Sequence, residues 1–248
     1  MSSDVSSFVL LSREQALRRQ LDIATNNMAN VNTVGYKREQ ALFHEYVERA
    51  REAPVKDAKK TSYVLDYGAI HDSRPGNFQP TGHRLDVMID GPGYFSIENG
   101  DGSVSYSRAG LFRVRDDGTL ATTNGNAVLG EDGRPMTIPE DQAASLSIDS
   151  DGTVATATGP IGRIAVTLFD EMRVSVRGDG LVDGAGGRLL PPGETHLQTG
   201  GVEGSNVQPI LESTAMVEIL RAYQTSMEMS QSLDAMRKQA IGRLSRAD

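Results

Sequence analysis

An α+β fold is predicted for this chain: terminal α-helices pairing as a coiled coil, with an antiparallel β domain, barrel- or sandwich-like, inserted between them. Three observations carry the prediction. Of 26 glycines, 23 lie between Gly76 and Gly204, with none in residues 1–34 and none between Ser205 and Ile241. Glycine weakens helices and serves turns, so its placement separates two helical ends from a turn-rich middle. The apolar residues at both ends recur at spacings of three and four, whereas those in the middle alternate.

Taken in order, residues 1–9 are polar and serine-rich and are expected to fray. A helix is expected over Ser7–Asn30, its seam formed by Leu10, Leu17, Leu21, Ala24, Met28 and Val31. Asn26, Asn27, Asn30 and Asn32 then crowd into seven residues, followed by Gly35. Asparagine diverts backbone groups from the helical ladder, and glycine accepts a left-handed conformation, so the helix should stop here. Tyr36–Arg51 keeps some helical character, with Phe43, Tyr46 and Val47 as packing residues; Pro54–Lys60 reads as a loop, and Tyr63, Leu65 and Tyr67 as a short strand.

From about Gly82 to Gly201 the period is two: Leu85, Val87 and Ile89; Phe95 and Ile97; Val104 and Tyr106; Phe112 and Val114; Leu146 and Ile148; Ile164, Val166 and Leu168; Val174 and Val176. Asn99-Gly100, Asp117-Gly118, Asn124-Gly125, Asp132-Gly133, Asp151-Gly152 and Asp179-Gly180 supply hairpin turns between them. The last helix begins near Ser205, tolerates Pro209 in its first turn, and carries Val217, Leu220, Tyr223, Met227, Leu233, Met236, Ala240 and Leu244 at helical spacings. Nearly forty residues make a helix of roughly 50–60 Å, longer than its N-terminal partner. Part of its apolar stripe therefore needs another subunit. The expected domains are 1–32 with 205–248 (helical), 33–81 (connecting) and 82–204 (β).

Composition argues against several function classes. A net charge of −8 opposes a general nucleic-acid or anionic-membrane surface. The absence of cysteine removes disulfides, thiolate metal sites and cysteine nucleophiles. His44, His71, His83 and His196 lack metal-ligand spacing, and no P-loop, G-x-G-x-x-G or G-x-S-x-G is present. Gly91-Pro92-Gly93 reads as a turn rather than a phosphate cradle. Asp149-Ser150-Asp151-Gly152 lacks the distal glutamate of a calcium loop and reads as a hairpin. Asp116-Asp117 is a turn pair, and Lys56, Lys59 and Lys60 a solvated loop. Neither a catalytic residue nor a cofactor is expected. Phe8-Val9-Leu10-Leu11 is too short for a cleavable signal, and no window reaches the roughly 18 apolar residues of a membrane span.

Ala24-Thr25-Asn26-Asn27-Met28-Ala29-Asn30-Val31-Asn32-Thr33-Val34-Gly35-Tyr36-Lys37 resembles the N-terminal signature of the bacterial flagellar rod, hook and hook-associated axial proteins. Leu85–Phe95 (LDVMIDGPGYF) with Tyr106-Ser107-Arg108-Ala109-Gly110 resembles the start of that family's central β domain. Gly201-Val202-Glu203-Gly204-Ser205-Asn206-Val207 with Arg221-Ala222-Tyr223-Gln224 is similar to its C-terminal helical region. Length, Thr137-Ile138-Pro139-Glu140, the Ser147–Thr153 hairpin and Gly159–Ile164 point to a proximal rod member, with the distal rod type as the alternative. The resemblance implies a structural subunit that polymerises with itself and with other rod proteins and transmits torque from motor to hook. It also implies export by the flagellar type III apparatus without a cleaved signal, and residence in the periplasmic rod of the basal body. The candidate assembly residues are Leu10, Leu17, Leu21, Asn26, Asn27, Met28, Asn30, Val31, Asn32 and Gly35, with Asn206, Val217, Leu220, Tyr223, Met227, Leu233 and Met236. A secreted β-domain enzyme or binding module is the rival from another class.

Overall fold

The computed structural model describes residues 2–48, 61–170, 174–177 and 180–244. The chain forms two compact units. One comprises Met1–Ala29, Glu39–Ile70 and Gln208–Asp248; the other comprises Asn30–Arg38 and His71–Val207. The expected connecting segment is thus shared: 39–70 belongs with the helices, and both 33–38 and 71–81 with the β strands.

The helical unit is built from α1 (Ser2–Ala29), β1 (Glu39–Glu48), β2 (Thr61–His71) and α2 (Pro209–Leu244). Asn27 meets Glu212 at one end of the helix pair and Ser7 meets Arg237 at the other, so α1 and α2 run antiparallel. Pro209 occupies the first residue of α2, where its missing N–H costs nothing, and Glu212 places a negative charge in the first turn. At 36 residues, α2 is about 54 Å long. Leu10, Ile23 and Ala24 are buried, and Leu17, Leu21 and Met28 half-buried.

Two expectations fail here. The helix starts at Ser2 rather than fraying up to Ser7, where a hydrogen bond from Arg237 to the Ser7 hydroxyl ties its early turns to α2. Residues 39–48 form a strand, not a helix, and pair with β2 in a two-stranded ribbon. Leu42, Phe43, Tyr46 and Val47 fit a helical stripe, but aromatic and β-branched residues also favour strands, and pairing with Thr61–His71 decides between them. Tyr63, Leu65 and Tyr67 lie in β2 as expected; the loop expected over Pro54–Lys60 lies outside the described residues.

The β-rich unit contains β3 (Phe78–Pro80), β4 (Val87–Ile89), β5 (Tyr94–Glu98), β6 (Val104–Ser107), β7 (Phe112–Val114), β8 (Leu120–Thr122), β9 (Ala127–Val128), β10 (Ser147–Ile148), β11 (Thr153–Thr156), β12 (Gly159–Arg163), β13 (Val166–Leu168), β14 (Val174–Val176), β15 (Val182–Gly184), β16 (Arg188–Leu189), β17 (Leu197–Thr199) and β18 (Gly201–Glu203). The largest sheet has the order β14-β15-β6-β5-β9-β8-β7, with β13 and β16 branching from β5; β10-β11-β12 form a second sheet. The strands pair antiparallel, and the last return to the first: β17 pairs with β4, and β18 with β3. Phe95, Ile97, Leu120, Val128, Ile138, Leu146, Val154 and Ile164 form a core with almost no exposure, Phe95 meeting Phe112 edge-on.

Five-residue turns recur. In Arg115–Thr119 and Asp149–Thr153 the fourth residue is a positive-φ glycine, and the third is an aspartate accepting a hydrogen bond from the fifth residue's N–H. Such three-residue loops, a type I turn followed by a left-handed glycine, are a common hairpin solution. The Asn99–Ser103 turn has the same frame, so its positive φ falls on Gly102 rather than on Gly100, as Asn99-Gly100 suggested. On β6 the burial is one residue out of phase with the apolar alternation. Val104 is exposed while Ser105 and Ser107 are buried, because Ser105 hydrogen-bonds Asn99 and Asp183.

Candidate functional site

In the helical unit the asparagine-rich stretch does one specific job. Asn27, 1% exposed, donates from Nδ2 to the Glu39 carbonyl at 2.9 Å and accepts the Glu39 N–H at 2.8 Å. Its carboxamide thus stands in for a neighbouring peptide group and holds the first residue of β1 extended. The same Nδ2 lies 3.4 Å from Glu212, itself buried in the first turn of α2. Asn26 is exposed and reaches the Glu39 carboxylate at 3.5 Å.

The helix pair also carries large apolar side chains that are open to solvent. Ile210 is 80% exposed and Leu211 59%; Val217, Leu220, Met227, Met229, Met236 and Ile241 are exposed too, as are Phe8 and Leu11 of α1. Tyr223 and Leu233 are half-buried, and the polar Ser226 is fully buried. The candidate residues on α2 therefore differ in exposure. Tyr223 and Leu233 lie partly covered within the unit, whereas Val217, Leu220, Met227 and Met236 face solvent.

In the β-rich unit a charged cluster is buried. Glu203 is fully enclosed; its Oε1 accepts from Lys37 Nζ at 2.6 Å and from the Gly76 N–H at 2.8 Å, and its Oε2 from Arg108 Nε at 2.5 Å. Lys37 also donates to the Arg74 carbonyl at 2.8 Å, and Arg108 to the carbonyls of Ile89, Gly91 and Gly93. The Gly91-Pro92-Gly93 turn is thus a set of acceptors for a buried guanidinium. Burial, and after it the nearby Arg108 charge, lowers the Lys37 pKa below its ordinary value against the opposing pull of Glu203. The Arg74 guanidinium, hydrogen-bonded to Asp72 at 2.9 and 3.0 Å, holds that carboxyl below its usual range.

Gly35 adopts φ +70° and donates its N–H to the Glu203 carbonyl at 2.8 Å; a Cβ there would lie 2.6 Å from the Ala109 nitrogen. Asn206 accepts the Arg38 N–H at 2.7 Å and donates to the carbonyls of Asp72 and Arg74, both at 2.9 Å. Asn30 bonds Thr33 and shapes the turn after α1, Val31 is half-buried, and Asn32 is exposed. The candidate set omitted Lys37, Glu39, Arg108, Glu203 and Glu212. A signal was present: each of the three quoted motifs carries one of the charges Lys37, Arg108 and Glu203 among small or apolar residues. Among the described residues, no group of three or more His, Asp or Glu could hold a metal ion, and no helix is long and apolar enough to cross a membrane.

Comparison with known proteins gives the same three blocks. Residues 9–37 match the family described as flagella basal body rod protein, residues 88–156 the flagellar hook protein FlgE/F/G D1 domain, and residues 198–243 the flagellar basal body rod FlgEFG protein C-terminal region. The flagellar basal-body rod protein FlgF of Caulobacter vibrioides is 32% identical over 97% of this chain and 98% of its own length. The rod protein FlgG of Bacillus subtilis is 32% identical over 93% of this chain and 96% of its own. FlgG of Agrobacterium fabrum is 30% identical over 89% and 92%. Near-complete coverage, with all three blocks in order, makes this chain a member of the flagellar basal-body rod protein family.

Proposed function

We propose that this chain is a non-catalytic structural subunit of the bacterial flagellar rod, of the proximal type, that polymerises through its terminal helices. The observation that carries the reading is that Ile210, Leu211, Val217, Leu220 and Met227, large apolar side chains of α2, are left open to solvent. Burying it against neighbours releases roughly 25 cal/mol per Å² of apolar surface, enough to drive association when several large side chains take part. Within this reading α1 and α2 form the shared helical part, and the strands of residues 82–204 form a separate β domain. Its partners are further copies and other rod proteins, reached after passage through the flagellar export apparatus. It works in the periplasmic part of the basal body, carrying torque from motor to hook.

The test is a charge placed on the helices. Leu220→Asp and Leu21→Asp should abolish rod assembly and motility while the β-rich unit keeps its melting transition. Motile cells carrying both variants would sink the reading. The distal type is the second reading, favoured by FlgG relatives at 30 and 32% identity. Complementation decides between them: this gene should restore motility to cells lacking the proximal rod protein and not to cells lacking the distal one.

A further inference from the structure

The backbone crosses between the two units at 29/30, 38/39, 70/71 and 207/208. On the β-rich side those crossings are carried by only three segments: 30–38, 71–77 and 201–207. Two side chains of the last segment bond both of the others. Glu203 takes the Gly35 N–H on its carbonyl, and Lys37 Nζ and the Gly76 N–H on Oε1. Asn206 takes the Arg38 N–H and gives its own N–H groups to the carbonyls of Asp72 and Arg74. The outer segments also bond each other: the Asp72 N–H donates to the Arg38 carbonyl, and Lys37 to the Arg74 carbonyl. Gly204 N–H closes the set on the Asn77 carbonyl.

We propose that Glu203 and Asn206 form a clamp that fastens these three segments into one cooperative piece, opening as a whole rather than contact by contact. Several features require cooperation. Glu203 is fully buried with two cations on one carboxylate, so releasing Lys37 alone would strip its Oε1 of a charge-assisted hydrogen bond that solvent cannot reach to replace. Arg108 fixes the other carboxylate oxygen to the β4–β5 turn, which leaves Oε1 no freedom to follow a departing segment. Gly35 packs on the backbone of Arg108 and Ala109 too closely for any Cβ, so its segment has one seat. The clamp belongs to the isolated chain and stands whether or not the chain polymerises.

Hydrogen exchange on the full chain tests it, amide by amide. Asn206→Ala removes the acceptor of Arg38 but touches neither Gly35 nor Gly76, whose acceptors are on Glu203. If the segments open together, the Gly35 and Gly76 amides exchange about tenfold faster in that variant, the effect of a lost buried hydrogen bond spread over the whole piece. Lys37→Met, which keeps the apolar stem, should likewise hasten exchange at Arg38 and Asp72, which it does not contact through its ammonium. The core amides of Ser96 and Leu120 should be unmoved in both variants. Acceleration confined to amides that lost their own acceptor would overturn the clamp. Equal acceleration of the core amides would overturn it as well, since the segments would then be part of one global unfolding unit.

Discussion

The two units treat buried and exposed groups in opposite ways. The β-rich unit hides its apolar side chains almost completely and also encloses a carboxylate with two cations, each met by a partner. Among its described residues the helical unit buries few large side chains and leaves Ile210, Leu211, Val217, Leu220, Met227 and Met236 in solvent. The first is complete within one chain. The second leaves large apolar side chains uncovered. That contrast is what the proposed assembly through the helices rests on.

Removing Glu203 is the severest way to break that contrast. Glu203→Ala leaves Lys37 and Arg108 as uncompensated buried charges and should cost the β-rich unit about 3–5 kcal/mol, read by urea denaturation. A loss below 1 kcal/mol would show that the cluster is solvated and the unit less closed than described. Gly35→Ala comes next. It adds a side chain at positive φ and against the Ala109 backbone, and should cost roughly 2 kcal/mol or more by the same measurement. Asn27→Ala moves the test to the helical unit, where it strips both backbone bonds from Glu39 at a cost of about 1–3 kcal/mol. Its signature is fast exchange at the Glu39 amide with the β-rich core unchanged; slow exchange would mean β1 is held by its ribbon partner alone.

The smallest effect is electrostatic. The folded Lys37 binds its proton less tightly than an unfolded lysine, so between the two pKa values the unfolded chain holds more protons. Stability from this group therefore rises with pH through the alkaline window below the ordinary lysine value. Thermal melts across that window should favour the parent over Lys37→Met progressively. A constant difference would mean the ammonium is as well served inside as in water.

The elements that local chemistry determines were readable in the sequence. Glycine placement separates helix from strand, and aspartate-glycine pairs mark the hairpins. But α2 starts at Pro209, not near Ser205 as expected, because Asn206 is spent on the Arg38 N–H and the carbonyls of Asp72 and Arg74. Where two local patterns compete, reading failed. Phe43, Tyr46 and Val47 suit a helix stripe and a strand equally, and only the partner Thr61–His71 and the carboxamide of Asn27 choose the strand. Ser105 is buried against its polarity because Asn99 and Asp183 are there to receive it. The candidate site was half legible: asparagines and seam leucines are conspicuous, but the Lys37–Glu203 pair joins residues 166 apart in sequence, which no local pattern connects.

The pairing of β18 with β3 and of β17 with β4 makes the middle of the chain one long loop, gathered at its base between Pro80 and Gly201. The entropy of closing such a loop grows only with the logarithm of its length, about 0.6 kcal/mol for each doubling. Segments inserted between β4 and β17 therefore burden the base very little, provided they fold by themselves. Lengthening the chain there enlarges the β-rich unit while leaving the β3–β18 and β4–β17 pairings at its base unchanged.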